Sequence, residues 1–221
     1  MTPGTENYPT VMGWRYAAIY CNWLCNGKAH TASAFASGAY DINTFTTNPD
    51  GTVNDQLTHS AGAQFWTPTL SEWVKGAYYD PNRYGAGLEG YWRSPNGTNN
   101  TLVSGAPGTG QTNAGIASPG VTTVGSYPEV QSPWGLLDVS GGVSEWTELP
   151  SSGSATNRLV MGSRYRSPTY VLEDHPDYAI GYFDAGLDLA GVRIASLVPS
   201  PAPPFVLGLG MALLFTRRKR A

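Results

Sequence analysis

From Ala77 to Thr123 the chain runs through Gly, Asn, Thr, Ser and Pro, including YYDPNRYGAGLEGYWRSPNGTNN, with no sustained helical or alternating apolar spacing. A stretch this long without regular structure is functional or disordered in most compact domains, and it restricts the chain to a loop-dominated architecture. Composition agrees. Charged residues make up 13% of the chain against roughly 25% in an average soluble protein, while Gly 27 and Pro 17 are abundant and Trp 7 and Tyr 13 supply aromatic anchors. The 221 residues suffice for one buried domain plus a tail, and a second full domain is not expected. A net charge of −3 offers no broad basic field for a phosphate backbone, so nucleic acid is excluded as a partner. The many Asn, Ser, Thr and Gly fit an extracellular setting.

Two segments carry helical signals. In WRYAAIYCNWL, residues Trp14, Ala17, Ala18, Cys21 and Leu24 recur at helical spacing, and Gly27 stands where a left-handed C-cap is wanted. Gly13 precedes this helix and is a somewhat weaker N-cap than Ser. The second helix starts in PTLSEW, where Thr69 and Glu72 have the spacing of a capping box and Trp73 is expected to anchor the core. Cys21 and Cys25 are the chain's two cysteines. An i, i+4 pair on one helix face sets its Cβ vectors side by side, so they read as small buried hydrophobes and not as a bridge.

Further motifs follow in order: PWGLLDVSGGVSEWT at 133 to 147, LVMGSRY at 159 to 165 and AGVRIAS at 190 to 196. In the last, alternation turns Val192 and Ile194 inward and Arg193 outward. With the YCNWL helix and the capped helix before them, these five segments resemble the formylglycine-generating-enzyme, or sulfatase-modifying-factor, family across most of residues 8 to 196. The resemblance implies an α+β, loop-rich, C-type-lectin-like fold with a few helices and short strands, joined here to a C-terminal hydrophobic helix. The domain is expected over residues 1 to 197, lacking part of its N-terminal portion, with a sorting tail over 198 to 221. In the long loop, Tyr91 and Trp92 are expected to fix the chain to the core.

Asp138 and Glu145 flank a Gly-rich turn, a source of the hard oxygen ligands that Ca2+ prefers. The resemblance assigns calcium to Asp138, Gly141, Val143 and Glu145. It also places the family's copper-binding cysteine pair near Arg166 and Val171, where neither residue is a thiol. Copper is therefore not expected, since soft thiolates are what hold Cu(I). The histidines His30, His59 and His175 are scattered without ligand spacing and read as solvated or satisfied loop residues. His175 lies in EDHPD, a charge run that reads as a solvated face. No nucleophile elbow, phosphate loop or CxxC motif is present.

The tail changes character at Val198-Pro199-Ser200-Pro201. A Pro-rich linker leads to the apolar run Phe205 to Phe215, closed by Arg217, Arg218, Lys219 and Arg220. The run is short for a membrane span, which takes about 20 residues, and the basic cluster stays cytoplasmic by the positive-inside rule. This order resembles the PEP-CTERM sorting signal of bacteria, which implies handling by an exosortase-type protease and export to the cell surface or extracellular matrix. No signal peptide opens the chain, so one is expected upstream of Met1. The functional expectation is an exported module with a transient or stable membrane anchor. It binds glycan or protein, or is structural, without formylglycine-generating activity; the alternative is a family enzyme with altered oxidative chemistry.

Overall fold

The computed structural model describes residues 6–117, 120–150, 157–165, 180–184 and 190–197. Among them are two α-helices, α1 (Trp14–Cys25) and α2 (Leu70–Tyr78), and the strands β1 (Phe65–Trp66), β2 (Tyr79–Asp80), β3 (Gly90–Tyr91), β4 (Glu145–Pro150), β5 (Asn157–Met161), β6 (Ile180–Asp184) and β7 (Ala195–Ser196). All pairings are antiparallel: β1 with β7, β2 with β3, and a central sheet in the order β4-β5-β6.

Helix α1 forms as its spacing predicts. Trp14, Ala17, Ala18 and Cys21 are buried, Gly13 caps without a side-chain bond, and Gly27 takes a φ of +64° just past the end. Leu24 is only half-buried, and Asn22 shares the inward face. That buried amide donates to the carbonyls of Phe35 and Tyr40 and accepts from the Tyr40 backbone N–H, so its polarity is satisfied. In α2 both halves of the capping box are present: Thr69 Oγ1 accepts from Glu72 N at 3.2 Å, and Glu72 Oε2 accepts from Thr69 N at 2.9 Å.

The central sheet divides the core in two. Val160 of β5 and Trp146 of β4 pack toward α1 with Trp14, Tyr40 and Trp66. Leu159 and Met161, on the opposite face of β5, pack toward α2 with Trp73, Tyr78 and Val139. Trp73 is thus a core anchor, and replacing such a residue with alanine costs on the order of 3–5 kcal/mol.

Two expectations meet corrections. The segment 190–196 is a strand only at β7, and Arg193 turns not to solvent but to Glu145, because residues 192–194 have no ladder to impose alternation. Of Tyr91 and Trp92, only Trp92 ties the long loop down, its backbone N–H donating to the Tyr78 carbonyl at 2.9 Å and its Nε1 to Asp80 at 3.0 Å; Tyr91 is 44% exposed and packs edge-on against Tyr79 across the β2/β3 pair. Within the loop, short backbone bridges join Ser94 to Thr98 and Ser104 to Thr112, and a third joins Ala114 to Tyr165 outside it. Among the described residues no helix is long and apolar enough to cross a membrane. The tail, with Phe205 to Phe215, lies outside the described residues, as do Arg166, Val171 and His175.

Candidate functional site

The Gly-rich motif between Leu137 and Glu145 turns sharply. Asp138 adopts a left-handed φ of +56°, rare for a residue with a side chain, and Gly141 and Gly142 follow at +85° and +65°. Gly141 is required twice over: besides its φ, a Cβ there would lie 2.6 Å from Thr112 Oγ1 and collide with Asn113 Oδ1. The turn is held by buried side chains from distant loops. Gly141 N donates to Ser163 Oγ at 3.0 Å, Gly142 N to Asn113 Oδ1 at 2.6 Å, and Ser140 Oγ to Thr112 Oγ1 at 2.9 Å. Asn113 Nδ2 in turn donates to the Gly120 carbonyl. Thr112, Asn113 and Ser163 are fully buried. Nothing in their sequence context marks them, because their partners lie between 7 and 29 residues away.

This turn forms one wall of a cavity of about 590 Å³, closed by residues 8–12, 122–124 and 191–194. Asp138, Gly141, Val143 and Glu145, assigned together from the sequence, all line it. Glu145 carries two partners. Arg193 grips its carboxylate from two sides, Nε to Oε2 at 2.7 Å and Nη2 to Oε1 at 2.8 Å, and Trp73 Nε1 donates to Oε2 at 2.8 Å. Burial pulls the Arg193 guanidinium down, but the charge and hydrogen bonds of Glu145, with Asp138 behind them, outweigh it, so the net direction is up. Asp138 accepts one bond, from Gly125 N at 2.7 Å. Desolvation raises its carboxyl above the ordinary range; that bond and Arg193 only partly offset it, and Glu145 adds to the rise.

The other titratable groups lie elsewhere. Cys21 is fully buried beside Thr67, and burial pushes its thiol up to about 12. Cys25 is free and half-buried, with Sγ 3.4 Å from the Phe65 carbonyl. His59 is satisfied: Nδ1 lies 2.9 Å from Glu148 Oε1, and the ring stacks on Trp66 at 4.4 Å. Glu148 also accepts from Tyr40 Oη at 2.5 Å. Arg158 lies 3.7 Å above Trp14, and burial lowers its guanidinium to about 10. His30 is exposed. Among the described residues no three His, Cys, Asp or Glu side chains gather as a metal-binding group. The carboxylates of the cavity reach only two, Asp138 and Glu145.

Two solved structures are similar to this chain, the first of them closely enough to share its fold. Treponema denticola variable protein 1 is 16% identical with a TM-score of 0.52, covering 89% of this chain and 74% of its own. The crystal structure of CarF is 17% identical with a TM-score of 0.49, covering 89% and 72%. No curated protein matches the chain. The family described as "Sulfatase-modifying factor enzyme 1-like domain" matches residues 3–195, a span that takes in both helices, the central sheet and every wall of the cavity; the chain belongs to that family.

Proposed function

We propose that this chain is an exported binding or structural module built on the sulfatase-modifying-factor scaffold, without formylglycine-generating activity. The observation that carries this is the position of its thiols. Copper-dependent oxidation needs accessible thiolates, and Cys21 is a core residue whose thiol burial pushes up to about 12, so it stays protonated at any physiological pH. Arg166 and Val171 stand near the positions where the resemblance places the family's cysteine pair.

In this reading the cavity holds calcium. The Asp138 carboxylate and the carbonyls of Gly141 and Val143 would supply hard-oxygen donors, Glu145 would join them by giving up part of its pair with Arg193, and the desolvated Asp138 carboxyl is a group that a cation would relieve. Calcium there would brace the turn and supply no redox chemistry. The tail from Val198 would bring the module to an exosortase-type protease, with Phe205 to Phe215 as the membrane segment and the cell surface or matrix as destination. A second reading, a family enzyme with altered chemistry, draws on the cavity itself, where a carboxyl with raised pKa sits near an arginine.

The deciding experiment mixes the purified chain with copper, oxygen and a peptide carrying a sulfatase-type cysteine motif. The expected mass spectrum shows unmodified cysteine. Turnover to formylglycine overturns the proposal.

A further inference from the structure

On the surface carrying the β2/β3 pair, three aromatic rings from two distant segments meet. Tyr79 and Tyr91 face each other across the pair with ring centroids 5.3 Å apart. Trp134 lies nearly parallel to Tyr79, 11° between planes and 6.2 Å between centroids. Trp134 is nonetheless 54% exposed. Exposed aromatic rings gathered in one patch mark interaction sites, and here Tyr91 and Trp134 are the open members, packed on a half-buried Tyr79.

The rings are also held in place. Trp134 sits in a tight turn in which Gly135 N donates to the Ser132 carbonyl at 2.8 Å, while Ser132 Oγ accepts from the N–H groups of Trp134 and Leu136 at 3.2 Å each. Tyr79 Oη donates to Glu89, and Lys75 Nζ lies 5.2 Å from the Tyr79 ring centroid. A platform fixed in this way loses little side-chain entropy when a ligand lands on it.

We infer that the Tyr79, Tyr91 and Trp134 platform binds an uncharged β-linked oligosaccharide. A pyranose with equatorial hydroxyls has a flat C–H face that stacks on an open ring, and its rim of hydroxyls seeks carboxylate and amide partners at the ring edges. One such partner is present: Glu89 stands at the Tyr79 hydroxyl. Charge points the same way. At the rings themselves Lys75 balances Glu89, so the platform has no net field with which to select a phosphate, an acidic peptide or an anionic lipid.

The inference rests on the reading of the domain as a binding module, and its test is separate from the formylglycine assay. The full chain, kept in solution by a zwitterionic, sugar-free detergent, is titrated with cellohexaose and with chitohexaose by calorimetry and tryptophan fluorescence. Saturable binding of at least one hexaose is expected. Trp134→Ala and Tyr91→Ala should each weaken it by about tenfold or more, Trp134→Phe should keep most of it, and Tyr16→Ala, at an exposed tyrosine of α1, should leave it unchanged. Absence of saturable binding to both hexaoses, or affinity indifferent to Trp134→Ala in a variant with an unchanged thermal midpoint, overturns the inference. A dimer in sedimentation that Trp134→Ala dissolves also overturns it, since the platform would then be a contact between copies. Formylglycine turnover in the other assay would remove the non-catalytic reading and leave this measurement standing.

Discussion

Arg193 and Glu145 meet in a two-pronged ion pair, Nε to Oε2 at 2.7 Å and Nη2 to Oε1 at 2.8 Å, and so join the segment 190–196 to the first residue of β4. Glu145 has only 12% of its side chain exposed, and Trp73 is its remaining partner once Arg193 is removed. Arg193→Ala should therefore cost about 2–4 kcal/mol, somewhat under the about 3–5 kcal/mol of a fully buried pair, because Arg193 keeps 23% of its side chain in water. Replacing both partners, Arg193→Leu with Glu145→Gln, should cost less than Arg193→Ala alone. Urea denaturation of the variants measures the difference; equal losses would show that the pair is not what holds the two segments.

The two glycines of the turn separate space from backbone conformation. Gly142→Ala introduces a Cβ into open space at a φ of +65°, so only the left-handed cost of about 1–2 kcal/mol applies. Gly141→Ala carries the same cost and also places a methyl 2.6 Å from Thr112 Oγ1, so buried neighbours have to shift. The expected order in thermal midpoint is wild type, then Gly142→Ala, then Gly141→Ala by a clear margin. A Gly141→Ala variant as stable as Gly142→Ala would mean that the loop around Asn113 gives way easily.

Local signals were legible from sequence and long-range ones were not. The Thr69/Glu72 capping box and the inward face of α1 depend on residues within one or two turns of each other, and both form as the spacing dictates. The turn residues Asp138, Gly141, Val143 and Glu145 share a cavity because one short segment carries them all. Asn22, Asn113 and Glu148 were invisible: each is a buried polar group whose satisfaction depends on chain that is far away, in the case of Glu148 on Tyr40 across 108 positions. Arg193 misled for a related reason. Alternation holds only where a strand has neighbours, and the segment around Arg193 has a carboxylate there instead.

The thiols should react very unequally. With its pKa pushed up to about 12, Cys21 is ionised to about one part in ten thousand at pH 8, and it is fully buried as well. Cys25 is half-buried at the end of α1. A disulfide reagent at pH 8 should therefore label Cys25 alone in the native protein and both cysteines in guanidinium. Rapid native labelling of Cys21 would remove the physical ground for calling the domain non-oxidative.

Asp138 gives the site a pH dependence whose sign follows from its environment. Desolvation, more than its neighbours, raises the folded-state pKa above the ordinary value of 3.8, so the folded protein holds this proton more tightly than the unfolded chain does. Between those two values, stability in the presence of a chelator should fall as pH rises, and above the raised value the penalty is constant. Asp138→Asn removes it, so in chelator the variant should match wild type at acid pH and exceed it at neutral pH. Calcium reverses the balance by favouring the ionised carboxylate: if it binds here, its affinity should climb through the same window, and added calcium should stabilise wild type but not Asp138→Asn. Thermal melts at several pH values, with calcium and with chelator, measure both effects at once. Equal stabilisation of the two proteins by calcium would place the ion away from Asp138.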